Sequence, residues 1–208
     1  MPDWIIYTIG FTAQLLFSSR LLLQWIASEK SKTVTTPTSF WIHSLAASFL
    51  LFTYGYLRND FPIMLGQVIT YYIYIRNLHF EKVWDKQPAL LRHFLIAFPL
   101  LVTIYFFSNN RYDLHALFNK ENIAPALLVW GVCGQLIFTF RFVYQWLIAE
   151  RIKKAILPPA FWWLSLCGSF MILIYAVWRR DPVLFIGQLF GFTVYTRNLM
   201  LIHQREKA

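Results

Sequence analysis

GQVITYYIYIRNL, Gly66 to Leu78, and GQLFGFTVYTRNL, Gly187 to Leu199, each read Gly-Gln, six mostly apolar residues, then Tyr-x-Arg-Asn-Leu, and they stand 121 residues apart. The same offset runs upstream without a gap. Gln14, Arg20, Gln24, Trp25, Glu29, Pro37, Phe40 and Trp41 fall on Gln135, Arg141, Gln145, Trp146, Glu150, Pro158, Phe161 and Trp162. Ser44, Ser48, Tyr54, Arg58 and Asp60 fall on Ser165, Ser169, Tyr175, Arg179 and Asp181. Gly10 to Leu78 carries 25 identities in 69 positions. Shared hydrophobicity does not match Arg, Gln, Asn, Asp and Pro, so the chain is an internal duplication.

The 208 residues are 58% hydrophobic, 19% aromatic and 14% charged, a composition foreign to soluble domains. Seven runs of 19 to 27 residues lack Asp and Glu: Trp4 to Ser28, Thr38 to Leu57, Pro62 to Phe80, Ala89 to Phe107, Ile123 to Ala149, Ala160 to Trp178 and Pro182 to His203. Roughly 20 apolar residues cross about 30 Å of hydrocarbon as a helix, and unbroken runs exclude a barrel's alternation. The expected fold is an all-α membrane protein of seven transmembrane helices. The first run has no basic leader or small-residue cleavage site and reads as a retained span. The longest stretch outside the spans, Ser108 to Asn122, has no room for a soluble catalytic domain.

Three spans reverse the chain's direction and a fourth reverses it again, so the repeats are expected to be parallel: 1–87 as repeat one, 88–122 as linker helix and outer loop, 123–208 as repeat two. They should be related by a pseudo-two-fold axis along the membrane normal, with any solute path between them. Loop Lys and Arg number ten on the side of Lys30, Lys82 and Lys153 and five on the side of Arg58 and Arg179. The richer side is cytoplasmic, which puts the amino terminus out and the carboxyl terminus in. The net charge of +9 is then a topology signal and an attraction to anionic lipid, with no nucleic-acid partner implied.

The polar residues inside the spans are the candidate site. Arg20 and Arg141 lie eight residues before the ends of their spans, about 12 Å deep, near the limit of a snorkelling side chain. An Arg at mid-bilayer costs about 2.5–3.5 kcal/mol and needs an inward partner or a wet cavity. No Asp or Glu lies in a span to pair with Arg20, Arg76, Arg141 or Arg197. Two readings follow: they hold an anionic ligand such as a lipid phosphate, or they bond to backbone carbonyls and to Gln24 and Gln145 one turn along. Gln67, Tyr74 and Asn77, with Gln188, Tyr195 and Asn198, share a helical face opposite Arg76 and Arg197, suited to sugar hydroxyls or to interhelical bonding. Trp25, Trp41, Trp146, Trp162 and Trp163 read as an interfacial aromatic belt. Cys133 and Cys167 read as small buried residues, and two isolated thiols define no disulfide or metal site. With no catalytic pair, nucleophile elbow, phosphate loop or metal-ligand spacing, no enzyme, cofactor or metal is expected.

The pattern PxxFW at Pro37 and Pro158, the Arg-x-Asp turns, Gly-Gln and YxRNL resembles the lipid A biosynthesis N-terminal domain family, itself similar to PQ-loop and SWEET transporters. The resemblance covers nearly the whole chain, twice. It implies a three, one, three arrangement of helices, alternating access, and an inner-membrane role in envelope glycolipid metabolism; the disaccharide synthase activity for which the family is named is not carried over. The expected function is a transporter or flippase of a polyprenyl-phosphate-linked sugar. Arg20, Arg76, Arg141 and Arg197 would then hold phosphate, and Gln67, Tyr74, Asn77, Gln188, Tyr195 and Asn198 would hold sugar. The alternatives are a uniporter of small sugars and a membrane partner of a lipid A glycosyltransferase.

Overall fold

The computed structural model describes residues 2–57, 61–108, 125–179 and 182–206. The Arg58 and Arg180–Asp181 turns, the outer loop from 109 to 122, and Lys207 lie outside the described residues. Among those described are seven α-helices: α1 Asp3–Ser31, α2 Thr38–Leu57, α3 Phe61–Phe80, α4 Ala89–Ser108, α5 Pro125–Ile152, α6 Pro159–Arg179 and α7 Pro182–Glu206. A one-turn 3₁₀ helix, Trp84–Lys86, precedes α4. Pro125, Pro159 and Pro182 each open a helix, where a missing N–H costs nothing. The loops after α1 and α5 turn on Lys32 and Lys153, both left-handed (φ 53° and 55°) and 121 residues apart, so the duplication extends to backbone conformation.

Four helices are long and apolar enough to cross a membrane: Trp4–Ser31, Thr38–Leu57, Val129–Ile152 and Pro159–Trp178. The sequence leads one to expect seven. In α4 the apolar stretch is the shorter Ala89–Tyr105. In α3 and α7 the Gln, Arg and Asn of the duplicated motif, with His79 and His203 beyond it, lower the hydropathy, although the helices are 20 and 25 residues long.

Packing follows a closed circuit. α1 meets α2, α2 meets α3, α3 meets α5, α5 meets α6, α6 meets α7, and α7 returns to α1. Two of these seams, α3–α5 and α1–α7, join the repeats. Helix α4 stands outside the circuit against α2 and α3. Its Phe98 lies 4.6 Å from the Phe49 ring and 5.9 Å from that of Phe52, and Tyr72 donates to the Ile96 carbonyl at 2.8 Å.

Small residues set the helix spacing within a repeat, as in membrane bundles generally. Gly10 faces the Tyr54 ring and Gly131 faces Tyr175, where a Cβ would come within 2.9 and 2.7 Å. At Gly168 a Cβ would meet the Phe138 backbone N at 2.9 Å, so α6 lies almost on the α5 backbone. The corresponding residue of repeat one is Ala47, fully buried.

Inside the circuit sits an aromatic core of Phe40, Trp41, Tyr74, Phe142, Phe161, Trp162 and Tyr195. Outside it, large apolar side chains such as Leu15, Leu101, Leu136 and Trp178 are more than half exposed, a surface made for hydrocarbon. The belt reading fails for Trp41 and Trp162: both are completely buried, because Phe40-Trp41 and Phe161-Trp162 turn into the core rather than outward. Cys133 and Cys167, expected inside, lie on the exposed surface as free thiols.

Candidate functional site

At the end of the circuit where α1 and α5 finish, four polar contacts cross between the repeats. The Gln24 amide donates to Asn198 Oδ1 at 2.8 Å and accepts from Asn198 Nδ2 at 3.1 Å. Gln145 and Asn77 repeat this with the same two distances. All four amides are completely buried. Gln145 also donates to the Ile156 carbonyl at 3.0 Å, and Gln24 to the Thr35 carbonyl at 3.3 Å, so each amide holds the loop that follows its own helix.

One turn further out, Arg76 forms a two-bond fork with Glu150, and Arg197 with Glu29. Nη2 to Oε2 is 2.9 Å in the first and 3.0 Å in the second. Trp146 and Trp25 each donate an indole N–H to the same carboxylates at 3.2 Å. These side chains are about a third exposed, so each pair is a modest contribution taken alone. Together with the amides they lock both seams at this end.

Deeper in, the circuit encloses Arg20 and Arg141, 5% and 4% exposed. Arg20 Nη1 donates to Ser44 Oγ and to Tyr74 Oη, both at 2.9 Å. Aromatic faces surround the guanidiniums: Phe17, Phe40 and Tyr74 around Arg20, Phe138, Phe161 and Tyr195 around Arg141, and Phe142 beside both. The Phe142 centroid lies 5.2 Å from the Arg20 guanidinium carbon and 4.9 Å from that of Arg141, which caps their separation at 10.1 Å. The counterpart of Phe142 in repeat one is Leu21, so this ring breaks the internal symmetry where the two cations approach.

Several donors around these two arginines have no acceptor among the described residues: Nε of Arg20, Nε and Nη1 of Arg141, and the indole N–H of Trp41 and Trp162. Among the described residues no carboxylate pairs with either arginine. A buried unpaired cation is costly, and an excess of donors over acceptors suits a group that only accepts. Phosphate is such a group; a sugar hydroxyl both donates and accepts.

The expected site residues therefore divide. Arg20, Arg141, Tyr74 and Tyr195 gather in the chamber. Gln24, Asn77, Gln145 and Asn198 form the amide pairs, so the neighbours proposed for the deep arginines are engaged elsewhere. Arg76 and Arg197 do not point away from the motif's polar face and do not lack acids: each meets the other repeat's Glu just beyond its apolar run. Gln67 and Gln188 stay within their repeats. Ser48 donates to Gln67 Oε1 at 3.0 Å, and Ser169 to the Gln188 carbonyl at 3.1 Å. Ser44, Phe142, Trp41, Trp162, Glu29 and Glu150 escaped the site reading, although all but Phe142 belong to pairs that the 121-residue offset repeats.

Comparison with known proteins matches this architecture of halves. The profile described as "Lipid A Biosynthesis N-terminal domain" fits residues 9–79 and again 130–200, the same 121-residue shift. The chain is 29% identical over 98% of its length to a protein of Chlamydia felis named lipid-A-disaccharide synthase. It is likewise 29% identical, over 99% of its length, to the one of that name in Chlamydia pneumoniae. It spans about a third of those relatives, 34% and 35%. No solved structure matches. The expectation that the chain is no enzyme is overturned, since relatives along nearly its entire length are named lipid-A-disaccharide synthase; a search for catalytic motifs could not see this, because the resemblance lies in a membrane fold. With both halves matched and the matches covering more than half its residues, the chain belongs to the lipid A biosynthesis N-terminal domain family.

Proposed function

We propose that this chain handles a lipid-linked sugar phosphate in lipid A biosynthesis, taking the phosphate between Arg20 and Arg141 and carrying the head group across the inner membrane. The observation behind this reading is the pair of buried guanidiniums with unpartnered donors and no carboxylate. Tyr74, Tyr195 and the surrounding rings offer faces against which a sugar stacks. The circuit of helices supports a SWEET-like arrangement of two parallel three-helix repeats joined by α4, with the amino terminus outside. In that arrangement the amide pairs and ion pairs at the YxRNL end are the closed cytoplasmic gate. Opening exchanges them for contacts at the opposite end, as alternating access requires.

A second reading is favoured by the relatives' shared name: the unit presents the glycolipid to a lipid A disaccharide synthase without moving it. Both readings need the chamber to bind lipid phosphate. Native mass spectrometry of the gently solubilised protein, wild type beside Arg20→Ala/Arg141→Ala, tests it. A co-purified glycolipid or polyprenyl phosphate that is lost in the variant supports the site, and bulk phospholipid unchanged by the substitutions overturns it. Scrambling of a fluorescent glycolipid in proteoliposomes then separates transport from presentation.

A further inference from the structure

Helix α4 has no counterpart in the duplication, and it walls one side of a crevice against repeat one. Pinned at mid-length by Phe98 and by the Tyr72 bond to Ile96, it stands off from α2 at its beginning. The gap is a crevice of about 440 Å³, lined by Ala46, Phe49, Leu78, Trp84, Leu91 and Leu95, with Gln87 as its one polar side chain. Its size is that of a ligand cleft. Water does not occupy a space with so few polar partners, and leaving it empty forfeits the contacts of every lining side chain.

The rim differs in character. The crevice lies level with the 81–88 connection, at the helix ends, where Lys82 and Lys86 are exposed with no ion pair. Arg92, in the helical turn between the lining residues Leu91 and Leu95, meets Asp85 at 3.5 Å but leaves a buried Nε–H unpartnered. His79 shares the same Asp85 carboxylate at 3.4 Å. Glu81, the other acid here, is engaged by Thr38 at 2.7 Å. Apolar walls below a rim where Lys82, Lys86 and Arg92 outnumber the acid Asp85 match one amphiphile in both halves.

We propose that this crevice is a lipid site: it holds an acyl chain of an anionic glycerophospholipid whose phosphate rests on Lys82, Lys86 and Arg92. The lipid wedges α4 against repeat one and is separate from any ligand of the central chamber.

Native mass spectrometry of the full chain, titrated with dioleoyl phosphatidylglycerol or dioleoyl phosphatidylcholine, reads the site. One phosphatidylglycerol should bind roughly thirtyfold more tightly than phosphatidylcholine, the effect of about two basic groups at an anionic head. Ala46→Phe, which fills the crevice, should abolish that binding event. Lys82→Ala/Lys86→Ala changes only exposed side chains and should reduce phosphatidylglycerol to the phosphatidylcholine level. Arg20→Ala/Arg141→Ala should leave this lipid in place, so the two sites fail independently. Equal affinity for the two lipids, or phosphatidylglycerol retained at wild-type affinity by either crevice variant, overturns the assignment.

Discussion

Arg76 and Arg197 each end on a carboxylate supplied by the other repeat, whereas Arg20 and Arg141, deeper in the same circuit, end on aromatic faces and hydroxyls with donors to spare. All four are duplicated arginines in a membrane fold; sequence separates them by depth but offers all four the same role, holding phosphate. Their surroundings give them opposite energetics. The outer pair is neutralised and joins the repeats; the inner pair keeps two positive charges close together among aromatic faces. A protein that wanted only rigidity would have placed methionine or leucine there.

The sharpest break in this comparison is Arg141→Met. Loss of two charge-assisted bonds should weaken phosphate-ligand binding roughly 100-fold or more, measured by native mass spectrometry titration. The ligand-free protein should unfold at an equal or higher temperature, because a buried unpaired charge is itself costly and a well-packed hydrophobe removes that cost. A midpoint several degrees lower would mean that Arg141 is structural.

Gln145→Leu should act in reverse. It strands the buried Asn77 amide and should cost about 1–3 kcal/mol of stability. Adding Asn77→Leu should recover part of the loss, and a strictly additive double variant in thermal unfolding would deny the coupling.

Gly168→Ala comes next. It forces α6 off the α5 backbone and should cost about 1–3 kcal/mol, although repeat one carries Ala at the same place. An unchanged midpoint would show that the two repeats are packed alike.

The smallest effect belongs to the outer pair. Arg76→Glu alone should cost about 1 kcal/mol, as expected for a partly exposed ion pair, and Glu150→Arg added to it should restore most of that. Salt should shrink the difference. Failure of the charge reversal to rescue would remove Glu150 as the partner.

The duplication, the helices and the buried polar positions were legible because Arg, Gln, Asn and Pro recur at a fixed offset where hydrophobicity has no reason to repeat them. Partners were not. Glu29 and Glu150 stand in the same alignment, but their arginines are 168 and 74 residues away, and helical periodicity carries no signal over such distances. Nor does an offset reveal departures from itself. Phe142 replaces Leu21 and α4 stands alone in the sequence too, but what each touches, the two arginines and the flank of α2 and α3, was visible only in three dimensions.

The crossing bonds say something about ancestry. Subtracting the offset from repeat two turns Gln24–Asn198 and Gln145–Asn77 into one contact, 24 with 77, made in both directions, and the two ion pairs become 29 with 76. Mutual contacts of that kind define a two-fold homodimer. A chain of one repeat could form every one of these bonds with a second copy of itself. Fusion then removed the requirement that the copies be identical, and Phe142 and the lone flank of α4 are where the two halves took different courses.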